Sequence, residues 1–448
     1  MAGSSCTSAP TAPCRAREIF AMLGNTNVTV LPNGCRIATS AMPGVESFAL
    51  CFDAGTGGRC ERASELGFSH FLEHLLFKGS AKRPTTRAIS QPIEERGGAV
   101  NAYTSTAHTC FYAQAPFDAA PLVADVLGDL YLAPVLAPRE IDRERKVVLE
   151  EIKMYHDDDA AFAADLAQAA LWPGHPLGRP ILGTPASLAR AAADSLRAYH
   201  RSRYTARGTV IAAAGKLEHE RLVDLVRPFA ERLPAGPAPR FVPAAKARPP
   251  ERLAFERRET QQVQAVLSFR GIPYADPGKS AMSVLSQILG RGLTSRLFMT
   301  VRERHGLVYS ISSEPGYFAD AGVFQVYAGI DPARSVRALA LIGRELRRIA
   351  REAPGRAEVR RAIHALVGAQ RMGGETSSSQ MSWIRDKIRN LGRIETPEEV
   401  IGRISRVTPD EVRALASELF RPGNLSLALV MPRELRDTPE AHLAATEL

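Results

Sequence analysis

The sequence predicts an α+β protein of two homologous α/β sandwich domains. Short apolar or alternating runs are interleaved with amphipathic stretches, so strands and helices share each half of the chain. Similar landmarks recur at a near-constant offset, and a proline-rich stretch separates the two copies. At 448 residues the chain exceeds one ordinary core, and two domains of roughly 200 residues are the natural division.

Within the first half, Ser47–Asp53, Thr109–Gln114 and Thr209–Ala214 read as strands, and Glu65–Lys78, Pro121–Tyr131, Arg139–Tyr155 and Asp194–Tyr204 as helices. Residues 233–250 hold Pro234, Pro237, Pro239, Pro243, Pro249 and Pro250. Proline lacks an amide donor and disfavours helix at the preceding residue, so this stretch reads as an extended linker. The expected domains are therefore 1–232 and 251–448, joined by 233–250.

The repeat rests on four matches. Asp194-Ser-Leu-Arg-Ala faces Asp410-Glu-Val-Arg-Ala (410 − 194 = 216), and Pro138 faces Pro354 (354 − 138 = 216). The run Ser47–Asp53 precedes Val263–Phe269 by 216, and Gly208-Thr-Val-Ile precedes Gly423-Asn-Leu-Ser by 215. A period this long means duplicated domains rather than a solenoid.

Composition excludes several classes. Hydrophobic residues are 45% and charged residues 23%, ordinary for a globular chain. No apolar run reaches the roughly 20 residues that span a bilayer, and the first residues lack the apolar centre of a secretory signal. A cytoplasmic location is the expectation. The net charge of +9 comes from 57 basic and 48 acidic residues that are intermixed, with no aromatic-basic module, so nucleic acid is not expected as a partner. The six cysteines (Cys6, Cys14, Cys35, Cys51, Cys60, Cys110) form no C-x-x-C pair and read as reduced thiols.

The chemistry centres on His70-Phe-Leu-Glu-His74. On a helix, residues four apart share a face, so His70 and His74 can offer two imidazoles to one metal ion, with Glu73 on the adjoining edge. This H-x-x-E-H order is the inverzincin signature. Such a pattern also arises by chance on a solvated helix face. Here Phe71, Leu72, Leu75 and Leu76 make the helix largely buried, and buried polar groups need partners. Catalytic zinc takes three protein ligands and leaves a fourth position for water. In Arg139–His156, Glu144 and Glu151 are seven apart and share a face, while Val147, Val148 and Ile152 form an apolar side. Glu151 is the expected third ligand and Glu144 its outer carboxylate, with Glu150 a competitor about 100° away on the same turn. Glu73 is the expected general base for the attacking water.

At these residues the chain resembles the M16 metallopeptidases, the pitrilysin, insulin-degrading enzyme and mitochondrial processing peptidase family. The likeness runs from about Val28 to Pro432 and is nearest the bacterial half-length type. It implies one zinc ion per chain held by His70, His74 and Glu151, favouring Glu151 over Glu150. Gly97-Gly-Ala-Val-Asn-Ala-Tyr-Thr-Ser105 resembles the family's edge strand, along which substrate adds as a strand, and Asn101 and Ala102 are then substrate contacts. A glycine turn entering an ordinary strand accounts for Gly97 and Gly98 equally well. His175–Thr184 resembles a family loop that is read as structural. Arg302 and Tyr309, seven apart, resemble the pair that holds substrate and stabilises the tetrahedral intermediate. Many relatives have Arg-Glu where this chain has Thr106-Ala107, so substrate preference is not carried over.

Large family members have four such domains in two bowls. This chain resembles one bowl, a half-clamshell. The resemblance therefore implies a homodimer, with Arg302 and Tyr309 of one chain facing the zinc of the other; a heterodimer with a related subunit is the alternative. The implied activity is a zinc metalloendopeptidase acting on short or unfolded peptides, for processing or degradation. The competing expectation is a non-catalytic scaffold subunit of an M16-type heterodimer.

Overall fold

The computed structural model describes residues 26–448, so Cys6 and Cys14 lie outside the described residues. The first six strands are β1 (Thr26–Val30), β2 (Arg36–Ala41), β3 (Ser47–Ala54), β4 (Ala99–Thr104), β5 (Thr109–Pro116) and β6 (Thr209–Gly215). They form one sheet in the order β1-β2-β6-β3-β5-β4, which leaves β4 at an edge. The second sheet holds β7 (Leu253–Arg258), β8 (Val263–Gly271), β9 (Val308–Tyr317), β10 (Gly322–Ile330) and β11 (Leu425–Pro432), in the order β7-β11-β8-β10-β9.

The two orders superimpose once β1 is set aside. Each sheet has one parallel pair, β2 with β6 and β7 with β11, and its other pairs are antiparallel. Leu50 lies opposite Ala213 in the first sheet and Val266 opposite Ala428 in the second. The offsets are 266 − 50 = 216 and 428 − 213 = 215, so the one-residue slip seen in the sequence sits in the last strand of each copy. The fold is two α/β sandwich domains of one design.

Alternation along the strands separates two kinds of surface. Phe48, Leu50 and Phe52 of β3 face a core shared with Leu72, Leu75, Val126 and Leu130 of the helices beneath. Ala49 and Cys51 face the other way, with Ala38, Ala212 and Ala214. These small side chains let a helix approach closely, and the helix that does so comes from the other half. Met381, Ile384 and Ile388 of helix Ser377–Leu391 fill that face. In return, Ala163 and Ala167 of helix Asp159–Leu171 pack on Val266, Ala428 and Val430 of the second sheet. Each domain thus lends a helix to its neighbour, which joins the two through buried apolar surface.

Residues 233–250 carry no strand and only a short 3-10 turn at Ala244–Lys246. Cys35, Cys51, Cys60 and Cys110 are free and buried. Among the described residues, no helix is long and apolar enough to cross a membrane.

Candidate metal centre

The histidine-bearing helix runs Phe68–Leu76, three residues shorter at its start than the sequence pattern implies. Ala63–Glu65 is a separate 3-10 turn, and Gly67 breaks the chain between them with a φ of +85°. No side chain at that position can cap the helix. The buried Glu61 does so from upstream: its carboxylate accepts from Gly67 N (2.8 Å) and Ser69 N (2.7 Å). That satisfies two of the helix's orphan donors and puts a carboxylate at the positive end of the dipole. Burial pushes the Glu61 carboxyl up to about 7, against the pull of those hydrogen bonds.

A Cβ at Gly67 would meet Leu182 O at 2.7 Å and Gly183 Cα at 2.8 Å. The His175–Thr184 loop therefore packs against the start of the helix. Arg179 of that loop also donates to Glu61 O (3.0 Å).

Phe71, Leu72, Leu75 and Leu76 bury one side of the helix in the first core. The opposite side meets the long helix Pro138–Asp157. There His70, His74 and Glu151 converge, each offering a ligand atom within 4.8 Å of the others. Glu151 Oε2 lies 3.7 Å from His70 Nε2 and 3.5 Å from His74 Nε2, and this buried oxygen has no hydrogen-bond partner among the described residues. Burial, with the neighbouring His74, holds His70 down to about 3, so its ring is neutral and its lone pair free. Burial pushes Glu151 above the usual carboxylate range, against the pull of His74. An orphaned carboxylate oxygen facing two imidazole nitrogens fits a divalent cation.

Glu144 stands behind this set. Its Oε1 is 3.1 Å from His74 Nδ1 and its Oε2 is 2.8 Å from Lys78 Nζ. A carboxylate accepting from Nδ1–H turns His74 Nε2 toward the metal position. Glu150 faces solvent and pairs with Lys153 at 2.7 Å, away from the cluster. Val148 is buried, but Val147 is 48% exposed and does not serve the core. The helix face toward Phe68–Leu76 is taken by Glu144, Val148 and Glu151, which turns Val147 outward. The expected result is that Glu151→Ala lowers zinc affinity more than about 100-fold, while Glu150→Ala leaves it unchanged. Zinc titration by competition with a chromophoric chelator checks both.

Glu73 lies on the same helix edge. Its Oε2 accepts from the Thr104 hydroxyl at 2.8 Å, and burial pushes its carboxyl above the usual range. Thr104 ends β4, the sheet edge. Ser105 N donates to His108 O (2.8 Å) at the β4–β5 turn, so the backbone groups of the odd-numbered residues of β4 face β5. Those of Val100, Ala102 and Thr104 face the open edge. The Asn101 side chain accepts from Ala102 N–H (2.8 Å), covering one edge donor.

Arg302 lies in a π-helical segment, Phe298–Arg304, with its guanidinium 5.9 Å from the centroid of the Tyr309 ring. Tyr309 is 74% exposed. Among the described residues, neither is joined to the His/Glu cluster by a hydrogen bond or ion pair.

Two residues had no sequence signal. A capping signature looks for a short polar residue next to the helix, whereas Glu61 lies six positions before Gly67. Thr104 reaches Glu73 only because the sheet places β4 beside the helix.

The family model described as Insulinase (Peptidase family M16) matches residues 36–185, and the one described as Peptidase M16 inactive domain matches residues 190–366. A Streptomyces coelicolor protein named as an uncharacterized zinc protease is 35% identical over 428 residues, covering 94% of this chain and 92% of its own. The chain belongs to peptidase family M16. A second relative, the Bacillus subtilis protein named uncharacterized zinc protease YmxG, is 33% identical over 405 residues, covering 89% of this chain and 97% of its own. Among solved structures, a peptidase M16 inactive domain from Pseudomonas fluorescens superimposes with a TM-score of 0.85 at 18% identity, covering 92% of this chain and 99% of that one. A protease from Helicobacter pylori gives 0.84 at 18% identity, covering 91% and 99%. These likenesses show the M16 fold. The inactive-domain description of the model matching residues 190–366 agrees with the asymmetry of the halves: the first helix after β8, Lys279–Leu289, holds no histidine, aspartate or glutamate.

Proposed function

We propose that this M16 protein is a zinc-dependent endopeptidase that cleaves short or unfolded peptides inside a dimeric chamber. The observation that carries the reading is the convergence of His70, His74 and Glu151, with Glu73 beside them and an open sheet edge alongside. The names of the relatives, zinc proteases of bacteria, support it.

His70, His74 and Glu151 would hold a zinc ion, which would supply Lewis acidity toward the scissile carbonyl and the attacking water. Everything else falls to the chain. Glu144 orients His74 and offsets the charge of Lys78. Glu73 takes the proton of the attacking water and passes it to the leaving amine. A peptide pairs with the outward backbone groups of β4, which reads its main chain and tolerates varied side chains. Pairing at Ala102 requires Asn101 to release the Ala102 N–H, which frees the Asn101 amide for the same peptide.

Arg302 and Tyr309 have donors suited to a developing oxyanion. Their exposure and their lack of contact with the cluster support a role across a homodimer interface, each pair serving the partner's zinc. The second reading is a non-catalytic subunit of a heterodimer, with which the inactive-domain description of the second half is compatible.

The deciding experiment incubates zinc-loaded protein with a panel of unstructured peptides, with and without a chelator, and reads products by mass spectrometry. Cleavage that the chelator abolishes and zinc restores is the expected result. No cleavage by the zinc-loaded homodimer overturns the peptidase reading in favour of the subunit role.

A further inference from the structure

We infer that Thr104 is the positioning residue for Glu73, so that one residue of the edge strand both receives the peptide backbone and holds the catalytic base. The inference rests on the peptidase reading above and deepens it.

A threonine hydroxyl has one proton to give. Two acceptors lie near Thr104 Oγ1: Glu73 Oε2 at 2.8 Å and Thr109 Oγ1 at 3.5 Å. The shorter distance and the carboxylate's charge assign the proton to Glu73. Thr109 sends its own proton elsewhere, to Thr56 O at 3.0 Å. Among the described residues, no other side chain donates to Glu73. A glutamate has three side-chain torsions, and among the described side chains this hydroxyl is the one donor on its carboxylate, with the Thr104 backbone and His74 beside it.

Thr104 is itself held firmly. The turn that follows it is anchored on a neighbouring loop, with Gly58 N donating to Ser105 O (3.3 Å) and Arg59 N to Thr106 O (2.9 Å). A Cβ at Gly57 would come within 2.2 Å of Ser105 O, so the loop presses on the turn. On the opposite face of β4, the Tyr103 hydroxyl receives Arg385 from helix Ser377–Leu391, the helix lent by the second domain. Adjacent side chains of a strand point to opposite faces. The strand end is thereby clamped between the second domain on one side and the base on the other. The Thr104 hydroxyl is a fixed donor, which is what an oriented base needs.

The bond occupies one carboxylate oxygen and leaves the other to take a proton. Because the Thr104 backbone also faces the open edge, a peptide that pairs there tightens the same residue. Docking and base orientation are mechanically linked.

The test compares Thr104→Val and Thr104→Ser in zinc-loaded protein. Three readouts are needed: steady-state kinetics, zinc content, and affinity for a non-hydrolysable peptide by fluorescence. The valine variant keeps the branched shape without the donor. It should lower kcat about 10- to 100-fold, the size expected when a reacting group is misplaced by about 1 Å. KM, peptide affinity and zinc content should stay within about twofold of wild type, and serine should restore kcat to within about threefold. A valine variant with wild-type kcat overturns the assignment. So does a loss confined to KM and peptide affinity, which marks Thr104 as a strand residue only. A serine variant as impaired as valine also overturns it. If wild type cleaves nothing, the peptidase reading falls and takes this assignment with it; if wild type cleaves and valine matches it, only Thr104 is wrong.

Discussion

Glu73→Gln protein, fully loaded with zinc, is expected to cleave unstructured peptides about 1,000-fold more slowly than wild type, within the range for loss of general acid–base catalysis. The substitution preserves size, and the amide oxygen can still accept from Thr104, so the helix, its Glu61 cap and the metal ligands stay in place. What disappears is the basic carboxylate that takes a proton from water and returns it to the leaving amine. Zinc content and thermal midpoint should match wild type, which separates this loss from misfolding. Peptide binding should persist, because the outward backbone groups of β4 are untouched. Mass spectrometry of peptide digests reads the effect directly. Cleavage within tenfold of wild type would show that another group moves the proton, and the role assigned to Glu73 would fail.

The second large effect concerns the assembly. A chain carrying Arg302→Ala and Tyr309→Phe should lose about 100-fold or more in kcat, the scale for removing oxyanion donors. Glu73→Gln chains are inactive for a different reason. In a two-fold dimer with composite sites, a mixed dimer holds one site with both defects and one with neither. Unfolding the two variants together and refolding them at equal concentration should therefore restore about a quarter of wild-type activity: half the dimers are mixed, each with one intact site of two. The structural grounds are the 74% exposure of Tyr309 and the absence of any link from either residue to the His/Glu cluster. Mixed dimers as inactive as their parents would place both residues outside the partner's site.

Much of the candidate site is legible in the sequence. His70 and His74 share a helix face because residues four apart always do, and Phe71, Leu72, Leu75 and Leu76 mark the buried side. Glu151 and Glu150 were harder to separate. Spacing put Glu151 in line with Glu144, but only the packing of two helices shows Glu151 facing the imidazoles and Glu150 turned to Lys153. The same packing explains Val147, which an apolar count assigns to the core and the structure leaves half-exposed. Thr104 and Glu61 carry no local signal, because each acts on a residue far away in sequence or beyond a turn.

By itself the sequence determined the pattern-bearing features: the paired imidazoles, the candidate carboxylates on one face of the next long helix, and the duplication of about 216 residues. All three follow from periodicity along the chain, which sets the face that each side chain occupies. Tertiary structure alone decided which faces meet. The exchange of helices Asp159–Leu171 and Ser377–Leu391 depends on small side chains on two separate sheets matching helices from the other half of the chain. The clamp on β4 depends on that exchange, since Arg385 arrives from the second half to hold Tyr103 while Thr104 holds Glu73. Contacts of this kind are set by which surfaces bury each other, and no local period encodes them.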